Sequence, residues 1–343
     1  MKQALLASTA TAGAGMIGTK SASGQAGGIA PTLGDIAILQ FLAVAEEIET
    51  DLWIQYAELG GVSAPANSYQ AALQNLDGDG SQYISSNTLD EQSHASFLNA
   101  YLQAHGAPTF PLTRFHTLPP SQVTGVQQVG RLTTLKNLNV DTSWYTRYRS
   151  TTNPDFGATY PQAITLTNVP GIPRTNADLQ FSNIQAIANI AAFHFGTIEQ
   201  GGSSLYATMA QKVSSPEVLK IVLSIGGDEV AHFLEWVDFA GNGVQPPVAP
   251  IAAANGLPAF PDFNATGNPL LQTNLIFPVP CEFINANLPK CAVIRPTSAG
   301  QIDAEGAANA FIAMNIFQGQ PKAFFTLLMD LAKAADAAHR IIL

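Results

Sequence analysis

Asp90-Glu91-Gln92-Ser93-His94 and Asp228-Glu229-Val230-Ala231-His232 are the two stretches that decide the fold. Both have the form Asp-Glu-x-x-His. On an α-helix, residues three apart share a face, so each Glu/His pair presents a carboxylate and an imidazole to one cation. Each stretch lies inside a run with helical apolar periodicity, residues 85–105 for the first and 216–239 for the second. Two such helices imply two cations side by side, each gripped by its own pair.

Outward from these runs the chain is mainly α. Thr32 to Leu59 carries Leu33, Ile36, Leu39, Leu42 and Ala43 on one stripe, with Gly60-Gly61 as a stop signal. Helical pattern returns over residues 176–212, and Pro216, preceded by Ser214-Ser215, opens the last run of the set. Residues 107–177 are rich in Pro, Thr, Asn and Gly and are expected to form a long crossover with short strands or turns. The predicted architecture is an antiparallel four-helix bundle, residues 31–240, with that crossover between helices two and three. Residues 1–30 form a signal-like or disordered segment. Residues 241–343 form an extension, irregular to about residue 296 and helical from Ala304.

Two cations need further carboxylates, and the other two helices are expected to supply them as bridges. The third helix offers Glu199; the first offers Glu46, Glu47 and Glu49. Glu199 is followed seven residues on by Tyr206, as Glu46 is by Trp53, and the histidines repeat the interval with Tyr101 and Phe239. Seven residues is nearly two turns, which keeps each aromatic on the stripe of its polar partner. The predicted metal ligands are therefore Glu46, Glu91, His94, Glu199, Glu229 and His232, with Glu49 in reserve. His194 lies off the stripe of Glu199 and is read as a core histidine. The four aromatics are read as packing rather than redox relays. Carboxylates and imidazoles without thiolates favour two iron or manganese ions per chain.

This ligand pattern resembles the ferritin-like superfamily, and its Asp-Glu-x-x-His form resembles the oxygen-activating members. The resemblance implies a ferritin-like bundle in which Asp90 and Asp228 hydrogen-bond the metal-bound histidines. It also implies redox chemistry with oxygen or peroxide, of ferroxidase, peroxidase or oxidase type. The phrase Leu42-Ala-Val-Ala-Glu46-Glu47-Ile-Glu49-Thr-Asp-Leu-Trp53 is similar to ferritin-like desiccation-related proteins. That similarity implies a second function, a non-catalytic stress protein of structural or surface type. In that group the third helix often carries a Glu three residues before its His or Gln; here Ala191 precedes His194, and Glu199 takes the ligand role.

The chain has 343 residues, 12% of them charged, and a net charge of -10. Without a basic cluster, such a surface repels phosphate backbones, which argues against nucleic-acid binding. No segment has the ~20 continuous apolar residues of a membrane span. Lys2, the weakly apolar run from Ala4 to Gly18 and the small residues 21–26 read as an export signal. In an exported protein, Cys281 and Cys291 read as one loop-closing disulfide; in the cytosol they are free thiols. Asn75-Leu-Asp77-Gly-Asp79-Gly80 opens like a calcium loop, but Ser86 stands at its twelfth position, so an ordinary turn is expected. The chain is compatible with homo-oligomer formation.

Overall fold

The structure is a computed structural model that describes residues 30–145, 161–242, 250–263, 277–279, 287, 291–293 and 303–341. Four long helices build the bundle: α1 (Leu33–Gly60), α3 (Gly80–Ala104), α4 (Gln185–Lys212) and α5 (Pro216–Val237). A short α2 (Ser68–Gln74) lies between the first two. Helix α1 packs mainly on α3, and α4 on α5. Apolar residues on all four meet in one core that includes Ile38, Trp53, Leu98, Phe195 and Trp236.

Caps explain where these helices start. The Thr32 hydroxyl accepts from the Asp35 amide at 3.1 Å, and the Asp35 carboxylate accepts from the Thr32 amide at 2.8 Å, a reciprocal capping box. Asp35 also accepts from the amides of Ser214 and Ser215, which ties the start of α1 to the turn between α4 and α5. Ser215 caps α5 and Pro216 fills its first turn, as the sequence predicts. The 77–80 segment is a turn that runs straight into α3. Gly80 is required there, because a Cβ would lie 2.3 Å from the Phe239 ring. Helix α3 therefore begins five residues before the predicted Ser85, and α4 begins at Gln185 after a 3-10 turn at Asp178–Gln180.

The crossover wraps the bundle. Its strands β1 (Leu138–Val140) and β2 (Leu166–Val169) form an antiparallel ribbon. Polar residues of α1 anchor it: Asp51 accepts from the Thr133 amide and hydroxyl at 2.8 and 2.6 Å. The Glu58 carboxylate accepts from buried Arg131 at 2.7 Å. Glu47 accepts from the Leu112 amide at 2.8 Å, so this carboxylate serves the crossover and not the bundle interior.

The C-terminal helices α6 (Ala304–Ala313) and α7 (Lys322–Asp336) join the same core through Phe311, Phe324 and Leu328, with α7 lying along α1. A second ribbon pairs β3 (Phe277–Val279) with β4 (Cys291–Val293), Val279 opposite Cys291. Cys281, and with it the predicted disulfide, lies outside the described residues. No helix among the described residues is long and apolar enough to cross a membrane.

Candidate metal centre

All six predicted ligands converge in the bundle interior. Glu91, Glu199 and Glu229 are fully buried, and Glu46, His94 and His232 are at most 8% exposed. They form two groups whose ligand atoms lie within 4.8 Å of one another: Glu46, Glu91, His94 and Glu229, and Glu91, Glu199, Glu229 and His232. The two imidazole rings are 6.3 Å apart between centroids.

Glu91 and Glu229 belong to both groups, whereas Glu46 and Glu199 each belong to one. The sequence expectation gives the bridging places to Glu46 and Glu199; in the structure each of these stands beside one histidine. The cause is lateral packing: α1 lies on α3, which brings the Glu46 Oε2 to 3.4 Å from the His94 Nδ1. Likewise α4 lies on α5, and the Glu199 Oε2 is 3.4 Å from the His232 Nδ1. Glu91 falls between the imidazoles, its Oε2 3.4 Å from the His94 Nδ1 and its Oε1 3.2 Å from the His232 Nδ1. Glu49, the reserve ligand, is buried beside these carboxylates but joins neither group.

The supporting contacts cross the bundle in pairs. The His94 Nε2 meets Asp228 at 3.1 Å, and the His232 Nε2 meets Asp90 at 3.4 Å, so each Asp steadies the histidine of the opposite helix. Trp53 donates its indole N–H to Glu199 at 3.0 Å, and the Tyr206 hydroxyl donates to Glu46. In both exchanges one residue number rises by as much as its partner falls, which is the register of antiparallel helices. The seven-residue interval places each aromatic about 10.5 Å along the axis from its own carboxylate, level instead with the carboxylate across the bundle. Trp53 and Tyr206, expected only as packing, therefore also hold ligands.

Asn87 was not anticipated. It is fully buried one turn before Glu91, its amide donates to Glu199 at 3.1 Å, and its carbonyl accepts from the Trp236 indole at 3.1 Å. A polar residue one turn before a ligand, on the same helix face, was the signal available. His194 is a core histidine, its Nδ1 2.7 Å from the Tyr56 hydroxyl, and burial lowers its pKa to about 3.

Crowding shifts the acids and bases strongly. Burial and the neighbouring Glu46 charge lift Glu91 to about 8, and burial with the surrounding carboxylates lifts Glu229 well above its ordinary range. Burial alone would lower His94, but the Glu46 and Glu91 carboxylates, each 3.4 Å from its Nδ1, raise it to about 11. Burial is likewise outweighed at Glu46, which His94 holds below its ordinary value.

Several polar atoms facing the centre are buried with no hydrogen bond: the Oε2 of Glu46 and of Glu199, both oxygens of Glu229 and the Nδ1 of His232. Unpaired lone pairs inside a protein cost free energy unless a cation meets them. Four carboxylates with neutral imidazoles match the charge of two divalent cations. The donors fit such a pair.

The fold and the site define a helical bundle with two buried carboxylate–imidazole groups, each able to hold a metal ion. A family model of the ferritin-like domain matches residues 34–236, more than half of the chain. The chain belongs to the ferritin-like domain family. No curated protein and no solved structure gives a significant match.

Proposed function

We propose that the protein binds two iron or manganese ions and uses them for redox chemistry with oxygen or peroxide. The observation that carries this reading is the sharing of buried Glu91 and Glu229 between two groups, each completed by its own histidine and its own terminal glutamate. His94 with Glu46 would hold one ion and His232 with Glu199 the other. Bound iron or manganese would supply reversible electron transfer to an oxygen-containing substrate.

The chain's own residues prepare that chemistry. Asp90 and Asp228 orient the imidazoles so that each Nδ1 faces inward. Trp53, Asn87 and Tyr206 hold the terminal carboxylates by one oxygen and leave the other free. The carboxylates between the imidazoles are buried, so water has little access to them, while the partly exposed Asp90 and Asp228 connect the imidazole Nε2 atoms to the surface.

Metal analysis of the purified protein tests the reading: about two equivalents of iron or manganese per chain are expected, falling sharply in the Glu91→Ala/Glu229→Ala double variant. Unchanged metal content in that variant would refute it. Consumption of oxygen or peroxide by protein loaded with Fe(II) or Mn(II) separates a redox enzyme from a non-catalytic protective protein with the same centre. The N-terminal pattern supports export as the setting for either role.

A further inference from the structure

We infer that the cavity between α4, the β1–β2 ribbon and α6 binds a small, uncharged, mainly apolar organic molecule that reaches the metal centre past Gly201 and Gly202. That such a molecule is a substrate rests on the function proposed above; that the cavity binds it does not.

The cavity has a volume of about 400 Å³. This lies in the range of small-molecule sites and far exceeds what dioxygen or peroxide needs, a water's share being roughly 30 Å³. Its walls are largely apolar, with Val140, Leu166, Ile198, Leu205, Phe311 and Met314 among them. No Lys or Arg stands among the described lining residues, and the two acidic ones there are Glu49 and Asp141. Among the described residues an anion would find no counter-charge. The Asp141 Oδ1 already accepts from the Gln162 side chain at 2.7 Å and the Ser143 amide at 3.0 Å, so part of that acid's accepting capacity is taken up by the protein. Neutral polar side chains on the wall, Thr197 and Asn139 among them, already bond the protein backbone, which leaves at most a single hydrogen-bonding end of a ligand to be oriented.

The cavity has a direction. Thr165, Thr167, Ala310 and Ala313 are exposed and form its mouth, while buried Gly202 and Glu49 form its inner end. At Gly202 a Cβ would lie 2.0 Å from the Glu229 Oε2, so only helix backbone separates the inner end from a shared carboxylate. At Gly201 a Cβ would meet nothing within 4 Å. Two successive glycines within a helix cost about 1 kcal/mol each relative to alanine, and at Gly201 no close packing requires one. The open space beside it is accounted for if a ligand fills it.

Calorimetric titration of the full chain with 1-octanol, octanoate and octylamine tests the inference, on metal-loaded and metal-stripped samples. One 1-octanol per chain is expected, with octanoate and octylamine each at least ~tenfold weaker. Gly201→Phe, which fills the inner end, and Ala310→Trp, which narrows the mouth from an exposed position, are each expected to weaken 1-octanol binding at least ~tenfold. Absent 1-octanol binding, or binding that Ala310→Trp leaves unchanged, overturns the site; equal binding of either charged probe overturns the ligand class. Metal content of the same samples keeps the readings apart, since a protein that binds 1-octanol but no metal would refute the proposed function and leave the cavity assignment standing.

Discussion

Four carboxylates held within a few ångströms of one another repel, and burial strengthens the repulsion by removing water. Without metal, the fold answers by keeping protons: Glu91 titrates at about 8 instead of 4.5, and His94 at about 11 instead of 6.5. Both hold a proton more tightly folded than unfolded, so both contributions are present at low pH and lost as pH rises. Glu91 loses its contribution between its ordinary 4.5 and about 8, His94 between 6.5 and about 11. Glu46, held low, acts in the opposite sense, losing stability as pH falls below its ordinary 4.5. Metal-stripped protein is therefore expected to melt at a lower temperature at about pH 8.5 than at about pH 5.5, and loading with Mn(II) should shrink or reverse that difference. Thermal melts at the two pH values, with and without metal, check this. Asp90→Asn and Asp228→Asn keep the shape but weaken the hold on the opposite histidine, so metal affinity should fall roughly 10–100-fold in each. Competition with a chelator measures the change; unchanged affinity in both would show that the Asp–His contacts are incidental.

Helices set which partner each residue meets. Because the paired helices run antiparallel, Trp53 reaches Glu199 and Tyr206 reaches Glu46, and the two contacts stand about two turns apart along the bundle. Trp53→Phe keeps most of the packing against Trp236 but removes the donor to Glu199. A stability loss of about 1–3 kcal/mol is expected in denaturant melts, together with weaker metal retention. Loss of stability alone would mean that the indole serves only the core. Much at this scale was legible in the sequence. Stripe residues such as Leu39 and Leu42, the Ser215–Pro216 start and the doubled Asp-Glu-x-x-His placed the four long helices and named all six convergent side chains. Helix α2, from Ser68 to Gln74, is too short for periodicity to reveal. The choice of Glu91 and Glu229 as shared groups was hidden as well, because it depends on which helix lies beside which, and spacing along one helix carries no such information.

At the scale of the molecule, the bundle relies on segments far from it in the chain. Helix α7 covers part of α1, and Phe324 packs on Phe115 of the crossover and Phe317. Phe324→Ala is expected to cost about 3–5 kcal/mol of unfolding free energy, and metal-loaded protein should unfold in one transition that includes the C-terminal helices. Separate transitions for bundle and C-terminal helices would mean that the shared core is not cooperative. The cavity extends the same theme, since its wall is made jointly by the bundle, the crossover ribbon and α6. The central claim, that four helices share two ions through Glu91 and Glu229, is tested most directly by anomalous-scattering diffraction from crystals of manganese-loaded protein. Two peaks are predicted, one beside His94 and Glu46 and the other beside His232 and Glu199, with both shared glutamates between them. No peak, or a single peak out among Asp90 and Asp228 at the exposed edge, would contradict it.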